Sequence, residues 1–288
     1  MKRKIVIALP ADYRRGDVLA FHSRDKESVA EEVTPERLRK GVLLDGVPTL
    51  LDIRFDAERA VCTIDADGAI SPLVDDALQN ILGLRIDPAP FLKFTKKDPL
   101  LGPLARRFKG LRIVQSATIF EALTWAIIGQ QINLTFAIAL RRTFIEQAGR
   151  QHSSDLWCYP EAGDVAGLAL DELTTRKFSG AKAETLLRLA GLAARGEITL
   201  ARDADLADVS KTLLAIKGIG PWTVNYALLR GYGYPDCSLH GDVAIRAALQ
   251  RLRGEDSKPD MARTEAWLAQ YAPHRTMLAA HLWASLAD

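Results

Sequence analysis

The chain has 288 residues, 48% of them hydrophobic and 26% charged, with a formal net charge of +2. That length predicts two packed units with a sizeable core, and no run is apolar and long enough to span a bilayer as a helix, which argues against a membrane partner. The balanced charge gives no sign of bulk attraction to nucleic acid, so any DNA contact must come from a local patch or from backbone amides. Cys62, Cys158 and Cys237 lie far apart. They form neither a disulfide framework nor a paired-thiolate metal site, are too few for an iron–sulfur cluster, and point to a reducing, cytoplasmic setting.

Met1-Lys2-Arg3-Lys4 leads into the apolar run Ile5 to Leu9, which Pro10-Ala11-Asp12 ends too soon for a signal peptide; it reads as a first strand. Val42-Leu43-Leu44 is the next strand, and Asp45-Gly46 a hairpin turn after it. Leu51, Ile53 and Phe55 then alternate with Asp52 and Arg54, and Val61 to Ile64 forms a partner strand across the turn at 56–59. A helix is expected over 72–82. Residues 1 to about 90 thus read as α+β with an antiparallel sheet. The stretch 88–110, with Pro88, Pro90, Pro99, Pro103, Arg106, Arg107 and Lys109, reads as a linker, and its basic residues as solvated surface. The expected division is an N-terminal α+β domain with its linker over 1–108 and an all-α region over 109–288.

Beyond residue 115 the pattern is helical. Thr118 and Glu121 have capping-box spacing, and Phe120, Leu123 and Ile127 follow on one face. Gly129-Gln130-Gln131-Ile132-Asn133 interrupts that helix, and Asn133 can cap the next one. Further helices are expected over 181–195, 209–216, 222–230, 243–252, 262–271 and 275–286.

The stretch from Leu213 to Arg230 carries the most chemistry. A short helix ends in Gly218-Ile219-Gly220, and a second begins at Pro221, a favoured first-turn residue. The glycines allow a tight turn with outward N–H groups suited to a phosphate, although the triplet alone is more often a plain helix corner. Asp242 lies 22 residues beyond Gly220, directly before an apolar helix pattern. By itself it is an ordinary N-cap.

Together these residues resemble the helix-hairpin-helix DNA glycosylases, and more closely the DNA-3-methyladenine glycosylase II branch. The resemblance rests on Gly218-Ile219-Gly220-Pro221-Trp222-Thr223-Val224-Asn225-Tyr226, on Asp242, on Phe120 to Ile132, and on Tyr271 to Arg275 with His281-Leu282-Trp283. It covers about 115–286 well and the N-terminal part weakly. It implies excision of alkylated bases such as 3-methyladenine and 7-methylguanine from double-stranded DNA, in base excision repair.

The resemblance also implies site roles. Asp242 becomes the catalytic carboxylate, whose charge would stabilise the positive sugar of the transition state. Trp222 and Tyr226, four apart on one helix face, become a stacking pair for an extruded, electron-poor base. Phe21 matches a pocket aromatic, and His274 and His240 stand where other pocket residues are expected; as residues, all five are also at home in a core or a loop. Gln131, with Gln130, stands where the family inserts a side chain into the duplex. Gly218, Ile219, Gly220 and Thr223 form the DNA grip. Main-chain carbonyls of Leu214, Ile216 and Ile219 are the expected donors for a structural Na+ or K+, and no other cofactor is required.

Trp222 occupies the position where lyase relatives carry a Schiff-base lysine, which implies a monofunctional enzyme. Val243, His274 and His240-Gly241 depart from the branch and put its base range in doubt. The competing readings are a noncatalytic DNA-binding module and a glycosylase for another damaged base. A single chain meeting one lesion suggests a monomer.

Overall fold

The computed structural model describes residues 1–286. Its first layer is a five-stranded antiparallel sheet of β1 (Lys2–Ala8), β2 (Glu31–Thr34), β3 (Arg37–Leu44), β4 (Val47–Phe55) and β5 (Arg59–Ala66), in the order β1-β5-β4-β3-β2. Period-two burial explains the pairing: Ala60, Cys62, Ile64 and Ala66 of β5 point inward between exposed or half-buried neighbours. The β3–β4 turn is the expected two-residue hairpin, with both Asp45 (φ 51°) and Gly46 (φ 75°) in the left-handed region that a right-twisted hairpin favours. One face of the sheet is covered by α1 (Arg15–His22) and α2 (Leu73–Ile81), through Val18, Leu19, Val74, Leu78 and Ile81.

The remaining chain is mostly helical and has its own core. Two short helices, α3 (Ala89–Thr95) and α4 (Leu101–Arg107), precede α5 (Ile119–Gly129) and α6 (Leu134–Ala148). The expected linker over 88–110 is therefore incorrect. Phe91, Leu101, Leu104 and Phe108 are buried in the helical core, and Pro88 and Pro90 start a helix rather than break one. Proline lacks only an N–H that a first helical turn does not use, so it opens helices as readily as it ends them. The cores interleave: Val114 and Ala117 pack with the sheet, while Ala30 and Ile86 pack with the helices.

The helical region is also not all-α. A small ribbon of β6 (Arg150–Gln151) and β7 (Trp157–Cys158) continues to Tyr159. The Leu43 N–H donates to the Tyr159 carbonyl (3.0 Å) and the Tyr159 N–H to the Gly41 carbonyl (3.1 Å), so the edge of β3 beyond its pairing with β2 is covered. This explains why Lys40 to Leu44 are buried without alternation.

Then come α7 (Ala162–Ala166), α8 (Leu170–Thr174), α9 (Gly180–Ala194), α10 (Leu206–Leu214), α11 (Pro221–Ala227), a π-helical turn (Leu228–Tyr232), α12 (Val243–Arg253), α13 (Met261–Ala269) and α14 (Arg275–Ala284). Side chains cap four of the site-bearing helices at their first turns: Thr118 on α5, Asn133 on α6, Asp205 on α10 and Asp242 on α12. No helix of the described residues is long and apolar enough to cross a membrane.

A buried charge cluster ties sheet to helices. Lys40 Nζ (β3) donates to Glu31 Oε1 of β2 at 2.6 Å and to Glu121 Oε1 of α5 at 2.8 Å. Arg141 of α6 reaches the same oxygens at 2.6 and 2.9 Å. Burial alone would raise the Glu31 carboxyl, but the charges of Arg141 and Lys40 outweigh it and hold it well below the usual range. Glu121 is lowered too: burial opposes this, and Lys40 and Arg141 prevail.

Candidate active site

The turn between α10 and α11 is held from behind. Gln130 Nε2 donates to the Gly218 carbonyl (3.0 Å) and to Thr223 Oγ1 (2.9 Å), and Arg188 Nη1 donates to the Lys217 carbonyl (3.0 Å). Ile219 is buried between the two helices. On this turn, the backbone N–H groups of Gly218, Gly220, Trp222 and Thr223 donate to no group among the described residues.

The two glycines have different reasons. Gly218 has φ 98°, and a Cβ there would lie 2.0 Å from Thr185 Oγ1, so the protein itself requires glycine. A Cβ on Gly220 would meet nothing within 4 Å, so glycine there suits an outside group approaching the backbone. Gly218→Ala is expected to cost about 2–4 kcal/mol, from a left-handed non-glycine residue plus overpacking. Gly220→Ala should leave the melting temperature unchanged while weakening duplex binding roughly 10-fold, as charge-assisted amide contacts are lost. Melting curves and duplex titrations on both variants check this; a Gly220 variant that binds normally contradicts the open-amide reading.

Asp242 caps α12, its Oδ1 accepting from the Ile245 N–H at 2.9 Å. Two indoles also hold it: Trp222 Nε1 donates to Oδ2 (3.0 Å) and Trp283 Nε1 to Oδ1 (3.3 Å). The carboxylate is thus fixed between α11 and α14 while remaining half-buried. Trp222 and Tyr226 stack with centroids 5.2 Å apart and planes tilted 33°. Trp125 Nε1 donates to the Tyr226 hydroxyl (3.0 Å). Arg230, buried in the π-helical turn, places its guanidinium 4.9 Å from the Phe21 ring centre, 5.3 Å from Trp283 and 6.0 Å from Tyr226.

Asp242, Trp222, Tyr226 and Phe21 are therefore brought together. Gln131 is exposed in a left-handed conformation (φ 56°) just past α5, so it projects from the helix break. Four expectations need correction. Gln130 is turned inward to the hairpin, because Gly218 and Thr223 offer it two acceptors. The Thr223 side chain is buried by the same contact. His274 packs on Phe94 (5.2 Å) and Phe91 of α3 instead of the Trp222 ring set. His240 is held by Ser238 Oγ (3.1 Å) and faces Glu265 of α13.

Sequence reasoning did not assign Trp125, Arg230 or Trp283 to the site. Trp283 lay within the closing-helix match, and the signal that could have singled it out is an indole N–H in a helix that must pack beside Asp242.

The HhH-GPD superfamily of base excision DNA repair proteins matches this chain over residues 124–274. A DNA-3-methyladenine glycosylase of Bacillus subtilis (strain 168) is 29% identical over 266 residues, covering 88% of each chain. Among solved structures, a 3-methyladenine DNA-glycosylase of Archaeoglobus fulgidus superposes with a TM-score of 0.81 at 21% identity over 97% of both chains. An 8-oxoguanine glycosylase/lyase of Clostridium acetobutylicum superposes with a TM-score of 0.74 at 13% identity, covering 98% of this chain and 96% of that one. Those two structures share the fold with this chain, and since their names cite different bases, the fold does not select the base.

Proposed function

Because the chain belongs to the HhH-GPD superfamily of base excision DNA repair proteins, we propose that it is a monofunctional DNA glycosylase that hydrolyses the N-glycosyl bond of alkylated bases in double-stranded DNA. The observation that carries this is Asp242, half-buried and held by two indoles beside the stacked Trp222–Tyr226 pair.

The unpaired amides of the Gly218–Gly220 turn and the first turn of α11 grip a backbone phosphate, so the chain needs no strong net charge to bind DNA. Gln131 enters the stack as the damaged nucleotide leaves it and hydrogen-bonds the orphaned partner base. Extrusion costs a few kcal/mol, least for a damaged base, and stacking on Trp222 and Tyr226 offsets it. An alkylated purine carrying positive charge gains cation–π attraction there.

The C1′–N bond then breaks with its electron pair going to the base, and positive charge appears on the sugar. The Asp242 carboxylate stabilises that charge electrostatically. Water adds its oxygen to C1′ and loses a proton, for which Asp242 is the adjacent acceptor. Trp222 fills the place of a lyase lysine and donates to Asp242, so the reaction ends at an intact abasic strand. One chain carries every group named, so a monomer suffices.

A monovalent cation at the hairpin fits the donors present. Among the described residues the Leu214 and Ile219 carbonyls accept no hydrogen bond, and that of Ile216 accepts one, from the Ile219 N–H (3.0 Å). Each oxygen has a lone pair to offer Na+ or K+, which when bound supplies positive charge beside the phosphate grip.

The test is chromatography of bases released from methylated duplex DNA, with the strand run on a denaturing gel. Free 3-methyladenine and 7-methylguanine with an uncut strand are expected. Absence of any released base, or a strand cut through a borohydride-trapped imine, would overturn the proposal.

A further inference from the structure

Gln131 stands in a left-handed conformation (φ 56°), which glycine adopts freely and a residue with a side chain adopts at a cost. A residue keeps such a conformation only where its surroundings over-determine it, and such residues cluster at working sites. Here the neighbours are pinned on both sides. After Gln131, Ile132 packs on the helical core and Asn133 Oδ1 accepts from the Phe136 N–H at 2.9 Å. Before it, the Gln130 side chain is bonded to Gly218 and Thr223, and the Gln130 main-chain carbonyl accepts from Lys182 Nζ of α9. Gln131 itself stays exposed.

Lys182 is the unusual member of this set. Partial burial lowers its ammonium from the ordinary value. Among the described residues no carboxylate pairs with it, and the Gln130 carbonyl is the one partner of its Nζ. An ammonium that gives up water without gaining a counter-charge costs stability, so this contact is no fold-holding ion pair. The oxygen it holds belongs to the peptide that joins Gln130 to Gln131. Fixing the plane of that peptide fixes the direction in which Gln131 leaves the helix break.

We infer that Lys182 is a positioning residue, which holds the 130–131 peptide so that Gln131 is set in its intruding conformation before DNA arrives; this rests on the glycosylase reading above, with Gln131 as the intruding side chain. A side chain that must first be ordered loses part of its binding energy to that ordering, and Lys182 removes this cost in advance. The benefit is confined to substrates with a stack to enter. A lesion in single-stranded DNA leaves no orphaned partner base, so its release needs neither Gln131 nor the cation that sets it.

The experiment measures single-turnover release of 7-methylguanine from a duplex and from the same strand alone. The proteins are wild type, Lys182→Met, Lys182→Arg, Gln131→Ala and the double variant of Lys182→Met with Gln131→Ala. Lys182→Met should slow release from the duplex about 10-fold, the lower end of one charge-assisted hydrogen bond, and leave release from the single strand within about 2-fold of wild type. Lys182→Arg keeps a cationic donor and should recover part of the loss. In the Gln131→Ala background, Lys182→Met should cost nothing further on the duplex, because the two residues act as one unit. If wild type does not act on the single strand, this comparison on the duplex decides alone. Equal losses on both substrates, a full further loss on top of Gln131→Ala, or no loss at all would each reduce Lys182 to a tether of α9 on α5. Any of these overturns the inference while leaving the glycosylase reading intact. A Gln131→Ala variant as fast as wild type on the duplex overturns the intruding role and this inference with it. Release of no base by wild type removes the glycosylase reading itself.

Discussion

Asp242→Asn is expected to lower base release by about 1,000-fold, while affinity for undamaged duplex changes little. The substitution keeps the shape of the side chain and one oxygen, so the Ile245 N–H can still be capped and α12 still starts where it does. What disappears is the negative charge beside the developing sugar cation, and with it the proton acceptor for water. The new amide also points a donor at an indole N–H, because Trp222 and Trp283 both donate to this carboxylate. Single-turnover release and duplex titration, run side by side, separate chemistry from binding. Equal release by both proteins would reduce Asp242 to a helix cap. Trp283→Phe, which removes one donor but keeps the ring, should cost less, about 3- to 10-fold in kcat, with duplex affinity preserved.

Lys40→Met should destabilise the protein by about 3–5 kcal/mol in urea, because it leaves Glu31 and Glu121 buried with Arg141 alone to compensate them. Adding Glu121→Gln should recover part of the loss, since the two sites share one network. The pH dependence is set by the directions of the shifts. Glu31 and Glu121 sit below their ordinary carboxylate values, so their stabilising effect is present above those values and fades as pH falls through the folded ones. Removing Lys40 should therefore move the acid unfolding limb to higher pH. His22 and His281 act in the same direction. Burial lowers both, His281 from 6.5 to about 4, so the unfolded chain takes up their protons first and stability declines as pH falls from 6.5 toward 4. A wild-type stability curve flat between pH 6.5 and 4 would contradict this.

Local signals were legible wherever short-range chemistry decides the outcome. Asp45-Gly46 specifies its turn, Thr118 and Asn133 specify helix starts, and Asp242 caps the helix it precedes. The residues that escaped are those whose meaning depends on distant partners. Nothing local to Lys40 signals that β2, α5 and α6 surround it. Arg230 and Trp283 belong to elements whose facing is set only when α1, α11 and α14 pack together. His274 occupies an expected pocket position, but α3, hidden in a stretch that reads as a linker, supplies the aromatic surface it packs on. Pro88 and Pro90 misled for the same reason, since a proline that opens a helix differs from one that breaks a chain only in the residues C-terminal to it.

The clamp of Gln130 on the hairpin has a mechanical consequence. Gln130 is bonded to the turn proposed to hold the phosphate, and Gln131 is its immediate neighbour in the chain. On the proposed reading, the grip and the intruding side chain are two marks on one ruler. Each phosphate settling on the hairpin would then set Gln131 against the stack at one fixed offset along the strand. DNA would be inspected step by step in register, and a weak base pair found because it yields at that offset.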